Sequence, residues 1–307
     1  MGPINSFCAA GADTGVSERG ILLRMPQAEA VELRDVQKTL FLPLWGRAVE
    51  AEKKHPLLVD REAAQIVAAV GYDFSTIARN ISPVTRLSWV ARSLHTDRTI
   101  RNMLARDPRA TIVNLGCGLD TTFERTDNGS LEWYDLDLPD VIELRKRFIA
   151  ENTRRHTVAC SLLDDAWLRQ VKITANVLFI AAGVLYYFEE SQVKALLTRM
   201  ADAFPGAELL FDACTPGGVR LANKKVIAGG GMDESAILKW GIERVRDMES
   251  WDSRIVVLAA EPIFRHMMHG IALRERLGTM LSDALGIMTM VHLRLGRPST
   301  SCSSAAL

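Results

Sequence analysis

The sequence predicts an α/β fold: a Rossmann-like, mostly parallel sheet, preceded by a helical segment and interrupted by one insertion. Three observations predict it. After Pro108 the chain carries seven short apolar runs separated by helical or turn residues, the texture of βαβ units. Nothing between residues 27 and 106 has strand character. The first apolar run ends in Gly116-Cys117-Gly118, the tight turn at which such sheets meet a ligand.

Taken in order, residues 1–26 scatter Gly, Ser and Pro and are expected to form a loose arm. Residues 27–107 are expected to form a helical lid. Its pattern opens at Glu29-Ala30-Val31-Glu32-Leu33 and must kink or restart at Pro43. Asp60 suits the N-cap of a helix over Arg61–Val70. Pro83 suits the first turn of a long helix, 83–106, that stops before Pro108. The strand candidates are Thr111–Gly116, Leu131–Asp137, His156–Leu162, Asn176–Gly183, Glu208–Ala213, Arg254–Glu261 and Met288–Gly296. Helical patterns at Pro139–Glu151 and Glu190–Ala203 lie between them. Near-continuous apolar strands fit a sheet covered on both faces, with right-handed crossovers. Residues 217–250, with Gly229-Gly230-Gly231, break the rhythm and read as an inserted cap. The ligand-binding domain is therefore expected to comprise 108–216 and 251–307.

The 307 residues include 37 basic and 37 acidic side chains. That balance lacks the electrostatic footprint of a general nucleic-acid binder. Apolar residues at 48% and charged residues at 24% exclude a disordered or low-complexity chain. The five cysteines, at 8, 117, 160, 214 and 302, form no zinc pair and no disulfide framework, so they read as reduced thiols of a cytoplasmic protein. The longest uncharged run, Ile173–Phe188, has 16 residues, short for a membrane span. The start of the chain matches the myristoylation pattern nominally, a match that arises easily by chance. His266 and His269 stand at i, i+3 without a third ligand nearby, so no metal is expected.

Asp137 ends the second strand candidate, 21 residues after Gly116. That spacing suits an acid accepting from both hydroxyls of a ribose, hence an adenosine-containing cofactor. A dinucleotide turn wants a third glycine where this chain has Thr121, preceded by Asp120. An acid there would repel a pyrophosphate but tolerate the sulfonium and amino groups of S-adenosylmethionine.

Asn114-Leu115-Gly116-Cys117-Gly118-Leu119-Asp120-Thr121 with Asp137-Leu138-Pro139-Asp140-Val141-Ile142 resembles the leucine carboxyl methyltransferase family, and within it the tetracenomycin-type polyketide O-methyltransferases. Thr39–Ala48, Tyr72-Asp73-Phe74, Ala182–Phe188, Phe204-Pro205-Gly206-Ala207 and Phe211-Asp212 resemble the same branch, so the similarity spans roughly residues 35 to 260. The resemblance implies a class I methyltransferase with a seven-stranded sheet, a helical N-terminal lid and S-adenosylmethionine as cofactor. It implies that Arg92 pairs with the cofactor carboxylate, that Gly116 and Gly118 line the methionine moiety, that Asp137 holds the ribose, and that Cys117, Asp120 and Leu138 also belong to the cofactor site. Ser161, Leu162 and Asp164 would edge the adenine, Ala182 and Gly183 would contribute to the cofactor site, and Tyr187, a candidate catalytic residue, would flank the sulfonium or the acceptor. Ala182 stands where the family usually has Glu, and Ser161 where the carboxyl-methylating branch tends to have Asp, which favours the natural-product branch.

The expected activity is methyl transfer to a carboxylate or acidic hydroxyl of a small molecule. Arg47 is the candidate anchor for an anionic acceptor and His95 the candidate base. The alternatives are methylation of a protein or peptide C-terminal carboxylate, a cofactor-binding scaffold or sensor without turnover, and, more distantly, a nicotinamide dehydrogenase. No nucleic-acid or membrane partner is expected, and the oligomeric state is open.

Overall fold

The computed structural model describes residues 39–296, apart from 174, 233–235 and 268–269. The expected arm, the start of the lid, Cys8, Cys302, Met268 and His269 lie outside the described residues. Among the described residues, four helices precede the sheet. The first, α1 (Phe41–Ala51), has Pro43 as its third residue. There the missing N–H would have had no intrahelical partner, so the proline restarts the helix and does not kink it. Next, α2 (Arg61–Ala69) is capped by Asp60, whose Oδ1 accepts from Ala63 N at 3.0 Å. A short α3 (Ser75–Asn80) leads to the 24-residue α4 (Pro83–Arg106). Ser82 caps α4 by accepting from Thr85 N at 3.1 Å, with Pro83 in the first turn. Leu87, Val90, Ala91 and Ile100 of α4 are fully buried against the sheet residues Ile112, Leu178 and Leu210, while Trp89 packs with Leu42 of α1. Being covered on several sides, α4 has no clean polar face.

The sheet has seven strands in the order β3-β2-β1-β4-β5-β7-β6. They are β1 (Thr111–Leu115), β2 (Glu132–Asp137), β3 (Arg155–Ala159), β4 (Val177–Ala181), β5 (Ala207–Cys214), β6 (Ile255–Pro262) and β7 (Met288–Leu295). The first five run parallel. The last strand pairs antiparallel with both β5 and β6. Between the strands come α5 (Thr122–Thr126), α6 (Pro139–Lys146), α7 (Glu190–Ala203), α8 (Pro216–Ala222) and α9 (Leu273–Ala284). One core lies on each sheet face, centred on Phe179, Phe211 and Trp167 on one side and on Ile112, Trp133 and Leu178 on the other. Strand order reverses between β1 and β4, and a doubly wound sheet opens its crevice there, at the strands' carboxyl ends.

The seven strand candidates all form strands, with boundaries moved by a few residues. The third ends at Ala159, not Leu162, because the chain turns off the sheet edge to form the cavity floor. The helix expected to reach Glu151 ends at Lys146. The helix α9 is one the sequence reading leaves unassigned. Residues 217–250 contribute the rest of α8, a π-turn at Asn223–Ile227 and a 3-10 turn at Val245–Ser250, and no sheet strand among the described residues. No described helix is long and apolar enough to cross a membrane.

Candidate active site

A cavity of ≈480 Å³ opens over the carboxyl ends of β1, β2 and β4. Its glycine turn is built as the sequence requires. Gly116 and Gly118 have φ of 63° and 46°, the left-handed region glycine enters without penalty. A Cβ on Gly116 would stand 2.6 Å from Val184 Cγ2, so the turn also needs glycine for space. Cys117 N donates to Leu136 O at 3.0 Å, tying the turn to the end of β2.

Asp137 projects from that end. Gly118 N donates to its Oδ2 and Leu138 N to its Oδ1, each at 2.8 Å. Burial disfavours the charged form more than the two amides favour it, and the carboxyl is pushed up to about 6. Each oxygen keeps a lone pair for a hydroxyl donor. Asp120, also on the wall, accepts from Thr122 N at 3.1 Å and Asn114 Nδ2 at 3.2 Å. Burial opposes its charge, but Arg47 and Arg125 outweigh burial and hold it at about 2. The turn therefore presents a fixed carboxylate, suited to an ammonium or sulfonium and hostile to a pyrophosphate.

Arg92 enters from α4. Its Nη1 donates to Asp212 Oδ2 at 3.0 Å and to Tyr186 Oη at 3.2 Å. Asp212, at the end of β5, also accepts from Gly183 N at 2.6 Å through Oδ1. A Cβ on Gly183 would lie 2.7 Å from Arg92 Nη1, so this glycine admits the guanidinium to the wall. One edge of the fork is held by protein, and no hydrogen bond from Nε or Nη2 is found among the described residues. Cys117, Leu138, Ser161, Leu162, Ala182 and Tyr187 also line the cavity. Burial raises the phenols of both Tyr186 and Tyr187.

Three expected residues sit differently. His95 lies outside the cavity: its Nε2 faces Ile263 O at 3.0 Å and its Nδ1 faces Arg98 Nη2 at 3.2 Å. Three residues of helix after Arg92 have turned the side chain about 60° and raised it one step, onto the β6 side. Burial first, then Arg98, lowers its imidazole to about 4. Asp164 is exposed and off the cavity because its Oδ1 caps the following 3-10 turn, accepting from Ala166 N at 2.8 Å. Arg47 reaches the wall, but its Nε donates to Asp60 at 2.9 Å and its Nη2 to Leu119 O at 3.1 Å. It braces the glycine turn and is not available to anchor an acceptor.

Asp60 is more than a cap. Its carboxylate also accepts from Arg125 Nη1 at 2.7 Å and from Thr121 Oγ1 at 2.7 and 2.8 Å. Arg125 in turn donates from Nε and Nη2 to Asp97 at 3.0 Å each. These buried pairs lock α1, α2 and α4 to the turn after β1. Sequence reading found Asp60 by its local capping role alone, since its other partners stand 13 to 65 residues away. The far half of the cavity is apolar: Leu42, Trp89, Val226, Ile227, Leu238 and Met288. Lys239 is the cation at that end, 3.9 Å from Glu189 and half exposed.

Residues 41–201 match the family described as leucine carboxyl methyltransferase. The chain is 32% identical over 223 residues to the tetracenomycin polyketide synthesis O-methyltransferase TcmP of Streptomyces glaucescens, covering 72% of this chain and 81% of that one. The chain belongs to the leucine carboxyl methyltransferase family. A second member-like relative is the S-adenosyl-L-methionine-dependent methyltransferase dpfgK of Gibberella zeae, 32% identical over 208 residues, covering 62% of this chain and 69% of that one. Among solved structures, a DUF574 family protein from Streptomyces avermitilis aligns with a TM-score of 0.57 at 12% identity, covering 86% of this chain and all of that one, and speaks for the fold. The protein is an S-adenosylmethionine-dependent methyltransferase with the class I sheet of that enzyme group.

Proposed function

We propose that the enzyme methylates an oxygen of a small, largely apolar acid, of the polyketide-like natural-product class, with a carboxylate as the acceptor. The observation that carries this is the chemistry of the far half of the cavity. Its walls are largely aliphatic and aromatic, Lys239 is its cation, and the phenols of Tyr186 and Tyr187 that face it are raised by burial. Such phenols are not bases at neutral pH, and His95 lies elsewhere. A carboxylate is already ionised at pH 7 and needs no base. The polyketide class rests on the likeness to TcmP.

The residues present fit the cofactor. In this reading Asp137 receives the ribose hydroxyls, Leu162 and Ser161 border the adenine, Asp120 faces the amino end, and the open edge of Arg92 takes the carboxylate in the bidentate manner guanidinium favours. When bound, S-adenosylmethionine supplies an electrophilic methyl group for in-line displacement. The chain supplies orientation and a water-poor chamber, together worth several kcal/mol of barrier. Tyr187 and Val184 set the approach between β4 and α7. Residues 27–107 act as the lid, 217–250 as the cap, and 108–216 with 251–307 as the binding domain. The buried thiols Cys117, Cys160 and Cys214 support a reduced, cytoplasmic setting.

The test is mass spectrometry of a panel of aromatic and aliphatic carboxylic acids, with matched phenols and C-terminal peptides, incubated with enzyme and S-adenosylmethionine. Base-labile methyl esters of the small acids are expected. Esters on peptides alone would establish the C-terminal carboxyl reading. Bound cofactor without turnover on any acceptor would favour the scaffold reading, for which Ala182 in place of Glu is the argument.

A further inference from the structure

The helix α9 is amphipathic in the wrong sense. Leu273 (74% exposed), Leu277 (62%), Met280 (50%), Leu281 (61%) and the following Leu285 (62%) face outward. Its inner face presents Gly278 and the fully buried Thr279. This orientation is built in. A Cβ on Gly278 would stand 2.7 Å from Val84 Cγ2, so the helix lies so close to the start of α4 that a larger residue at that contact would collide. It cannot roll its leucines under. An exposed stripe of this kind marks an interaction site. Leu273, Leu277, Met280 and Ala284 recur in steps of four, three and four, the seam of a helix that packs against another helix.

We propose that α9 is a homodimer contact, pairing antiparallel with α9 of a second copy across a twofold axis. Charge complementarity selects this occupant and this direction. With the axis between Thr279 and Met280, near the centre of the apolar stripe, helix geometry sets Arg276 opposite Asp283 of the second copy, and the reverse. Arg276 is exposed. Asp283 accepts from Phe264 N at 3.2 Å through Oδ1, and no bond to Oδ2 is found among the described residues. On the other flank, the stem of Arg274 lies across Leu285 of the second copy. A parallel pair would instead set the flank of Arg276 and Asp283 against the opposite flank of the second copy, placing Arg276 beside Leu281 and leaving neither charge a partner. One helix pair is smaller than a standard interface, so a micromolar dissociation constant is expected.

Light scattering after size exclusion, at about 100 µM and hence well above such a constant, should report twice the mass of one chain. Leu277→Glu should return it to one chain with unchanged circular dichroism, because the side chain is exposed. In a Cys8→Ser/Cys302→Ser background, Met280→Cys should give a covalent dimer on mild oxidation. Leu273→Cys should not, because antiparallel pairing holds the two copies of that residue about 20 Å apart. A monomer at that concentration, a dimer that survives Leu277→Glu, or cross-linking at 273 in preference to 280 would each overturn the proposal. A monomer that instead binds anionic vesicles would reassign the face to a membrane surface.

Discussion

Asp137 makes opposed demands on the protein. In the free enzyme its folded pKa, about 6, stands above the ordinary carboxyl value of 3.8. As pH falls from 6 towards 4 the folded state takes up this proton before the unfolded state does, so this group contributes stability on acidification, contrary to a salt-bridged aspartate. Ribose hydroxyls need the ionised form, so cofactor affinity should fall as pH drops below about 6. Calorimetric titration with S-adenosylhomocysteine at pH 7.5 and 5.5 checks this. Asp137→Ala should weaken binding by about 1.5–3 kcal/mol, the typical loss of hydrogen bonds to a charged group, and should abolish that pH dependence. His95 behaves oppositely. Its pKa near 4 lies below the ordinary 6.5, so stability drains as pH falls from 6.5 to 4, when the unfolded chain binds a proton the folded chain refuses. Lying outside the cavity, His95→Gln should leave kcat within about twofold while flattening the acid limb of a stability curve. A kcat collapse in a folded His95→Gln protein would return it to the site as a base.

Elements were more legible in the sequence than the contacts between them. Strand boundaries followed from apolar runs bounded by turn residues, and Pro83 announced α4 because the preference of proline for a first turn is local. Gly116, Gly118 and Asp137 were legible because backbone torsion and strand-end spacing are also local. The position of Arg47 was not. A cation on the first lid helix reads as a free anchor until Asp60, 13 residues on, folds back onto it. Asp212 was visible only as a strand end, since its role depends on Arg92, 120 residues earlier. Even α9 escaped, because its apolar face marks no core. The buried bridge gives Arg47→Ala a definite signature: about 3–5 kcal/mol of lost stability, the usual result of leaving a buried carboxylate short of a partner. It should also weaken cofactor binding through the loosened glycine turn, with little change in acceptor KM at saturating cofactor. On the acceptor side, Lys239→Ala should instead raise acceptor KM and spare cofactor affinity. Initial-rate kinetics with each substrate varied in turn separate the two variants.

At the scale of the whole molecule, lid and sheet share one set of buried ion pairs: Arg47 and Arg125 with Asp60, and Arg125 with Asp97. The pairs are desolvated, so breaking the lid away would expose uncompensated charges on both sides. Helices α1, α2 and α4 should therefore unfold together with β1 and not as a separate unit. The cavity proposed to hold the cofactor lies against this joint, walled by α1 and α4 on one side and by the carboxyl ends of β1 and β2 on the other. A ligand that binds only the folded state stabilises it by about 2.7 kcal/mol at a hundredfold excess over its Kd. For a chain of this length that corresponds to roughly 5 °C in Tm. S-adenosylhomocysteine should produce such a shift in a single calorimetric transition, and NAD should produce none, because the ionised Asp120 on the cavity wall would repel a pyrophosphate. In Asp60→Asn, whose carboxamide pairs poorly with two guanidinium groups, the transition should broaden or split, and the ligand should shift the sheet's part more than the lid's. A wild-type endotherm already split into two, with only one part moved by ligand, would show that the lid folds independently of the sheet.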